Sequence, residues 1–400
     1  MSTNQHSLSV AIDLGTTTLV FACINASGDI LAQISMPNSQ RRFGVDVITR
    51  ILSSNKGKNL LLQNAIRADL QKGVALLKEK LPKDLRHLPI EKVCIAGNTT
   101  MIHLLMNYSC AGLGTYPYTP QSLKALTLNS AQIFGAVLSD ATVYIFPGIS
   151  AFVGGDIVAG LTGLNFDEAF LLTDLGTNGE MALWDREHLY VCSSPAGPAF
   201  EGGHIHCGVP GIPGAIYHVD YREATKTFSF ETIEDATPTG LCGTGLLDLL
   251  AALRQSGFMD KTGLLSTDYF TNGFLLCENV ALLQDDIREL QMAKAAIAAG
   301  VLVLLTVAGL SPDMISNVYV SGNIGDNLKV DTAITVGLFP DELKNAIHGI
   351  GNSSLKGAIA YLVSPNETLE RTQKILEKAE ELYLSQNPDF NRIYIEQMNF

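Results

Sequence analysis

One short sequence occurs twice in this chain, 161 positions apart (174 minus 13), and each copy follows an apolar run. The first Asp-Leu-Gly-Thr lies within AIDLGTTTLV at 11–20 and the second within LLTDLGTNGE at 171–180. In both places the pattern predicts a strand, a Gly-Thr turn and a second strand. A chain of 400 residues is also longer than a single hydrophobic core usually organises. We therefore predict two duplicated α/β domains that face a shared cleft.

The two turns have the composition of phosphate-binding loops. Successive backbone N–H groups in a glycine-rich turn form a concave anion site, and threonine hydroxyls add neutral donors. Either copy alone is typical of an ordinary hairpin turn, but two copies in separate halves favour two parts of one nucleotide site. The predicted phosphate ligands are Gly15, Thr16, Thr17 and Thr18 in the first loop, and Gly176, Thr177, Asn178 and Gly179 in the second.

An aspartate opens each loop. A carboxylate among phosphate donors repels the anion unless a cation lies between them, so Asp13 and Asp174 predict Mg²⁺, bound through water. We predict that both are catalytic and metal-organising acids. Asp156 follows two glycines ahead of the second loop. Two interpretations of it stay open: an acid that orients the attacking water, or an ordinary acid in the first turn of a helix.

Glycine turns elsewhere supply further candidates for nucleotide contact. Residues 192–216 form a Gly/Pro-rich stretch without helix or strand periodicity, and so long a loop is usually functional. Glu201 in this loop either faces the cleft or caps a turn. The remaining candidates are Gly243 and Gly245 in CGTGLLDLL, and Gly322, Asn323 and Gly325 in VYVSGNIG.

Composition and missing motifs exclude several alternatives. No G-x-x-x-x-G-K-[ST] occurs, and no G-x-G-x-x-G follows the first strand, which argues against a P-loop and a dinucleotide fold. A net charge of −13 argues against nucleic-acid binding. Seven scattered cysteines and an N-terminus without a signal-peptide pattern indicate a cytoplasmic protein. The apolar run 295–310 predicts a buried helix instead of a membrane span. His204, His206 and Cys207 are interpreted as loop residues, because adjacent side chains on extended backbone diverge.

The order of these segments resembles the acetate kinase, sugar kinase, heat-shock chaperone and actin (ASKHA) superfamily. Within it, the chain is most similar to the ATP-dependent reductive activators of corrinoid proteins, from about residue 8 to the end. The segments that carry this resemblance are AIDLGTTT, RRFGVDVITRI, AGNTTMIHLL, FVGGDIVAG, TDLGTNGEMAL, AGPAFEGGHI, CGTGLLDLLAAL, DIRELQMAKAAIAAG, VSGNIGDNL, GNSSLKGA and NPDFNRIYIEQMNF.

The resemblance implies a duplicated, two-lobed actin-like (ribonuclease H-like) ATPase fold with ATP and Mg²⁺ in an interlobe cleft. The expected first lobe is 1–148 plus about 352–400, and the expected second lobe is 149–351. Interlobe closure is expected to act on a corrinoid protein or corrinoid-dependent methyltransferase, and a homodimer is expected. By the same resemblance, the helix over 285–305 contributes to the adenosine pocket. Lys294 then either contacts the base or ribose or, slightly favoured, lies on a solvated helix face.

The chain departs from the family in one respect. Family members typically carry an N-terminal ferredoxin-like domain or other cluster-binding cysteines, and these 400 residues contain no cysteine cluster. We therefore expect the ATPase part alone, without an iron–sulfur cluster, and a separate electron donor if the protein takes part in reduction. Two alternatives remain open, namely a small-molecule kinase of the same fold and a nucleotide-dependent scaffold.

Overall fold

The chain builds two separate hydrophobic cores, each on a mixed β-sheet. A computed structural model describes residues 7–322, 324–325 and 327–400. The first unit comprises Met1–Asn165 and Asn352–Glu381, and the second comprises Phe166–Gly351 and Leu382–Phe400. Each unit is therefore assembled from two stretches of sequence.

The first unit contains a six-stranded sheet in the order β3-β2-β1-β4-β6-β5, with parallel pairing of β1 with β4 and of β4 with β6. The central strands are almost continuously apolar because helices cover both faces. Its strands are β1 Leu8–Leu14, β2 Thr18–Ile24, β3 Ile30–Pro37, β4 Ile90–Gly97, β5 Leu126–Asn129 and β6 Thr142–Ile145. Its first helices are α1 Val47–Ser53, α2 Asn59–Lys80, α3 Thr99–Met106, α4 Ala131–Phe134 and α5 Gly155–Thr162.

The second unit repeats the opening strand-turn-strand. Within this unit the main sheet runs β16-β15-β7-β8-β9, beside the three-stranded sheet β11-β10-β12 and the hairpin β13-β14. The strands are β7 Phe170–Leu175, β8 Gly179–Trp184, β9 Leu189–Ser194, β10 Ala215–Arg222, β11 Thr227–Thr232, β12 Gly240–Leu241, β13 Phe274–Cys277, β14 Val280–Leu282, β15 Asn317–Ser321 and β16 Ile347–Gly351. The helices are α6 Gly243–Ser256, α7 Thr267–Phe270, α8 Gln284–Ala308 and α9 Val330–Thr335.

The chain then returns to the first unit and ends in the second. The returning elements are α10 Ser353–Val363, α11 Pro365–Lys378 and β17 Ala379–Glu381, and the last helix is α12 Phe390–Glu396. These unit boundaries differ from the predicted lobes at 148 and at 382–400. Residues 149–165 stay with the first unit because α5 packs tightly on α10, where a Cβ on Gly357 would overlap the carbonyl of Ala159. Residues after 381 join the second core through Leu384 and Ile393.

Helix α8 is the structural centre of the second unit. It runs through Gly300 to Ala308, three residues beyond the predicted end, because the missing Cβ of Gly300 makes room for the side chain of Met181. Among the residues described, it is the helix long and apolar enough to cross a membrane by length and composition. Its most apolar window is 78% buried inside the protein, as in a core helix.

The sequence prediction for residues 192–216 needs correction. The predicted loop 192–216 starts inside β9, contains a 3-10 helix at Pro198–Glu201 and ends inside β10, so its irregular part is shorter than expected. The β10-β11 hairpin was not predicted, because its strands are half-exposed and carry charged residues.

Candidate nucleotide site

The first loop begins with a carboxylate held by neutral donors from α10. Asp13 lies near the end of β1, where Asn352 Nδ2 donates to its Oδ2 at 2.7 Å and Ser354 Oγ donates to its Oδ1 at 3.0 Å. Burial raises the pKa of Asp13, and the two hydrogen bonds offset part of that rise. Asn352 also caps α10 by accepting from the Leu355 amide at 2.8 Å. The helix start and the loop aspartate are therefore fixed together.

The Gly15–Thr17 turn is held by Asn38. Asn38 Nδ2 donates to the carbonyl of Gly15 at 3.0 Å, and the Asn38 amide donates to the carbonyl of Thr17 at 2.9 Å. In a planar trans peptide the next N–H points away from the carbonyl, so these contacts orient amides of the turn away from Asn38. Position 15 must be glycine, because a Cβ there would overlap the carbonyl oxygen of Thr18.

The hydroxyl of Thr16 is prepared to donate. Asn98 Nδ2 donates to Thr16 Oγ1 at 2.9 Å, while Asn98 Oδ1 accepts from the Met101 amide at 3.0 Å as the N-cap of α3. Since the oxygen of Thr16 already accepts this bond, its proton remains available for an anion. The first loop thus presents backbone and hydroxyl donors braced by two asparagine amides.

Asp156 lies beside the same connector. Gly154, the N-cap position of α5, packs so closely that a Cβ would lie 2.5 Å from Asn98 Cα. Asp156 is half-buried in the first turn of α5, and its Oδ1 accepts from the Ile157 amide at 2.9 Å. Its placement fits the interpretation as a first-turn acid, and its proposed role with water stays a prediction.

A buried arginine supports the first loop through contacts with Met101 and, beyond it, Asn38. Arg50 is fully buried, and its guanidinium contacts the carbonyl of Gly44 at 2.9 Å, Gln40 Oε1 at 3.4 Å and Met101 Sδ at 3.3 Å. Met101 Sδ in turn accepts from Asn38 Nδ2 at 3.6 Å. Burial lowers the pKa of Arg50 to about 10. Sequence reasoning missed this support, although RRFGVDVITRI was among the recognised segments.

The second loop carries its aspartate at the end of β7. Ser321 Oγ donates to Asp174 Oδ2 at 3.0 Å, because β15 pairs with β7 in parallel and sets Ser321 opposite Asp174. Gly322 follows with a φ of +94° and packs on the loop, where a Cβ would lie 2.6 Å from the carbonyl of Leu175. This glycine therefore serves close packing against the aspartate.

Two carboxylates contact the second turn. Thr177 Oγ1 donates to Glu201 Oε2 at 2.8 Å, and Asn178 Nδ2 donates to Glu180 Oε1 at 3.3 Å. Glu201 therefore contacts the second loop, and its predicted position facing the cleft stays a prediction. Gly179 is required by packing, because a Cβ there would overlap Ile297 on α8.

The other predicted glycines serve mainly close backbone packing. A Cβ on Gly243 would overlap the carbonyl of Phe200, and one on Gly245 would overlap the carbonyl of Ile216. Gly325 closes a turn by donating its amide to the carbonyl of Gly322 at 3.1 Å. Asn323 lies outside the described residues. Contact of these positions with a nucleotide stays a prediction.

Lys294 is buried, which corrects the favoured prediction of a solvated face. Its side chain is 1% exposed, donates to the carbonyl of Asn399, and its Nζ lies 5.3 Å from the ring centroid of Phe400. Burial lowers its pKa to about 8. The helical spacing alone could not reveal this, because the residues that cover Lys294 are more than 100 positions away.

An aspartate at the start of α8 also contacts His206, in the segment that contains His204, His206 and Cys207. Asp286 at the start of α8 accepts from the His206 amide at 2.8 Å and contacts His206 Nδ1 at 2.9 Å. The hydrogen bond between the His206 side chain and Asp286 is the main cause of the raised pKa of His206. Burial raises the pKa of Cys207 to about 12. In the described part of the chain, no three His, Cys, Asp or Glu side chains are arranged to hold a metal.

Each loop, taken by itself, carries a carboxylate of the kind that holds Mg²⁺ beside a nucleotide. Mg²⁺ is usually held by one or two carboxylates, by water and by substrate phosphates, so it needs no complete protein cage. Asp13 and Asp174 receive hydrogen bonds from the neutral side chains of Asn352, Ser354 and Ser321. These donors are uncharged, so they do not cancel the charge of a carboxylate as a lysine or an arginine would.

Sequence reasoning missed five polar residues that hold the two aspartates and the first turn. Their shared signal is position: each asparagine or serine lies at the end of a strand, directly before a helix or in the first turn of a helix, where N-caps and polar turns are common. These residues are Asn38, Asn98, Ser321, Asn352 and Ser354.

Two family models match this chain, one over each half. Residues 8–169 match the family model of the RACo middle region, and residues 168–400 match the model of the C-terminal domain of RACo, the ASKHA domain. The chain is 32% identical over 386 residues to the corrinoid activation enzyme RamQ of Eubacterium limosum, covering 90% of this chain and 64% of that protein.

A second relative is the [Co(II) methylated amine-specific corrinoid protein] reductase of Methanosarcina barkeri, 26% identical over 352 residues, covering 78% of this chain and 63% of that protein. The solved structure of a reductive activator for corrinoid, iron-sulfur protein superposes with a TM-score of 0.88 at 33% identity, covering all of this chain and 67% of that one. The chain thus spans less than two thirds of the length of the two curated relatives.

Proposed function

Because this chain belongs to the RACo family, with an ASKHA domain over residues 168–400, we propose that it is the ATPase part of a corrinoid-protein activator. It binds ATP with Mg²⁺, hydrolyses it, and couples turnover to reactivation of a corrinoid protein or corrinoid-dependent methyltransferase. The observation that carries this proposal is the pair of Asp-Leu-Gly-Thr loops, each of which presents a carboxylate held by neutral donors.

Each part of the candidate site has a proposed task. The amides of the Gly15–Thr17 turn and the hydroxyl of Thr16 hold phosphate oxygens. Bound Mg²⁺ neutralises phosphate charge, and Asp13 and Asp174 hold it through water. Asp156 is the proposed residue that orients the attacking water. Contacts to the nucleotide from Gly243, Gly245, Gly322, Asn323 and Gly325 belong to the same proposal.

Reduction of cobalt requires an electron that this part of the protein has no evident means to carry. None of the seven cysteines, all of which lie in the described residues, forms a disulfide, five of them are buried, and no two form a Cys-x-x-Cys pair. We propose that the electron comes from a carrier outside these 400 residues, and that nucleotide turnover supplies a conformational change that acts on the partner. We also propose that the protein is cytoplasmic and homodimeric.

The test is reconstitution with a corrinoid protein in its inactive Co(II) state. The protein, Mg-ATP, a chemical reductant and the corrinoid protein are combined, and the corrinoid absorbance is followed. The expected result is reduction that requires ATP and is lost in the Asp174→Asn variant. Reduction at the same rate without ATP contradicts the proposal, and ATP-dependent phosphorylation of a metabolite would instead support a kinase.

A further inference from the structure

The first unit exposes an unusual group of aliphatic side chains around α1. Ile48 and Leu52 lie one helical turn apart on the same face of α1, and each is 51% exposed. Val45 precedes this helix, and Leu60 and Leu61 begin α2, with exposures of 63%, 56% and 53%. We call these five residues the α1 patch. Apolar side chains that are exposed as a group mark interaction sites on protein surfaces, whereas single exposed ones are ordinary.

A neighbouring loop lies beside the α1 patch. Gly114 lies against α1, where a Cβ would be 2.9 Å from Ile51 Cγ2. Two residues later Tyr116 is 69% exposed. Tyrosine is enriched at protein interfaces because it combines a large apolar ring with a polar tip. The patch therefore has an aromatic residue available near its edge.

Basic residues flank the α1 patch in an otherwise acidic chain. Residues 41–80 hold nine Lys and Arg against three Asp and Glu, a net charge of +6, whereas the whole chain carries −13. Arg41, Arg42, Lys56 and Lys58 are exposed. Among the described residues, none of these four forms an ion pair. Their charge is therefore available to an acidic partner.

Local backbone geometry presents two of these cations. Between α1 and α2 the chain makes a π-turn, Ser54–Lys58, in which Lys56 and Gly57 leave helical geometry. Gly57 has a φ of +83° and no heavy atom within 4 Å of its missing Cβ. The turn thus projects into open space with a lysine on either side of the glycine.

We propose that the α1 patch is a docking surface for the corrinoid-carrying partner protein, which presents acidic residues around an apolar centre. This inference rests on the proposed function and names the part of the chain that recognises the partner. Aliphatic side chains at the centre favour a protein over a nucleic acid, which would require a basic groove with aromatic stacking residues. The positive flanks speed the encounter, and the aliphatic centre supplies affinity after desolvation.

The experiment measures binding to purified corrinoid proteins of the same organism with Mg-ATP present, at two salt concentrations. Two variants test the surface: Lys56→Glu with Lys58→Glu, and Ile48→Ser with Leu52→Ser. Matched controls on exposed positions of α11 are Lys374→Glu, and Leu369→Ser with Leu376→Ser. We expect each patch variant to raise Kd about tenfold or more, the charge variant to reduce the salt dependence, and the controls to bind like the wild type.

Several results would overturn the inference, and one separates it from the proposed function. If the wild type binds a corrinoid protein and both patch variants bind it with the same affinity, the docking surface is refuted and the activator function stands. Failure of the wild type to bind any corrinoid protein removes both. Sedimentation that shows loss of a dimer in the patch variants assigns the surface to a second copy. Patch-dependent binding to phosphatidylserine vesicles or to duplex DNA assigns it to those surfaces instead.

Discussion

The two Asp-Leu-Gly-Thr loops share a sequence and a strand-turn-strand geometry, yet their surroundings have opposite chemistry. Asparagine amides hold the first turn, through contacts of Asn38 and Asn98 with Gly15 and Thr16. Carboxylates hold the second turn, through contacts of Glu201 and Glu180 with Thr177 and Asn178. The first turn keeps a hydroxyl proton free for an anion, whereas the hydroxyl of Thr177 donates to a carboxylate.

This difference indicates a division of tasks between the loops. Amide and hydroxyl donors suit direct contact with phosphate oxygens, while the charge of Asp13 beside them is balanced by the proposed Mg²⁺. A turn beside Asp174, Glu180 and Glu201 repels an anion unless a cation lies between them. We therefore infer that the first loop holds phosphate directly and that the second loop acts through Mg²⁺ and water. Four predictions test this division of tasks and the burial that accompanies it.

The largest effect is expected from removing the charge of either aspartate. Asp13→Asn and Asp174→Asn keep the side-chain shape but remove the negative charge, so each is expected to lower kcat for ATP hydrolysis by roughly 10²- to 10³-fold. Steady-state hydrolysis over a Mg²⁺ titration measures this. Asp29→Asn, at an exposed turn beyond β2, is the matched control and should keep full activity. Normal turnover in either loop variant would show that this loop is structural.

Replacing the equivalent glycine of each loop with alanine should weaken nucleotide binding in one loop and not in the other. In Gly15→Ala the new Cβ overlaps the carbonyl of Thr18, so the turn must distort, and we expect nucleotide affinity to fall more than tenfold. In Gly176→Ala the nearest atoms are Asn178 O at 3.7 Å and Glu201 Oε1 at 3.9 Å, ordinary contact distances. That variant should bind nucleotide within about threefold of the wild type. Isothermal titration with a non-hydrolysable ATP analogue compares the two, and equal losses would argue against the division.

The sequence predicted the two strand-turn-strand units but not the side chains that contact their turns. Two repeated strand-turn-strand units follow from apolar runs and glycine turns, and the structure contains both. The contrast between the turns depends on Asn38, Asn98 and Glu201, which lie 21 to 82 positions from the loop residues they contact. Local periodicity holds no information about such pairs. For the same reason the burial of Lys294 beneath Asn399 and Phe400 could not be read from α8 alone.

A single oxygen-for-nitrogen exchange tests the free proton of Thr16. Asn98→Asp keeps an acceptor for the Met101 amide, so the N-cap of α3 and the thermal stability should be preserved. The new carboxylate accepts from Thr16 instead of donating to it, which turns the hydroxyl proton away from phosphate and adds a negative charge. We expect about tenfold weaker nucleotide binding at unchanged melting temperature. A loss of stability with unchanged affinity would limit Asn98 to helix capping.

The last prediction concerns the buried lysine of the second unit, Lys294, which like Arg50 in the first unit carries its basic group inside the protein. Burial lowers the pKa of Lys294 to about 8, below the value of about 10.4 for an unfolded lysine. Between these values the unfolded chain holds a proton that the folded chain has released, so this group makes the folded state more stable as pH rises from 8 to 10. In Lys294→Met that contribution disappears, since methionine fills similar space without charge.

We therefore expect the wild type to gain on the order of 2 kcal/mol in free energy of unfolding over that range relative to Lys294→Met. Trp184, the only tryptophan in the chain, lies in β8 of the second unit, and its fluorescence during urea unfolding reports on this core. A constant difference between the two proteins across pH would contradict the burial of a charged lysine. Nucleotide affinity measured on the same variant decides the remaining question, because a loss would return Lys294 to the nucleotide site and an unchanged value would make it a core residue.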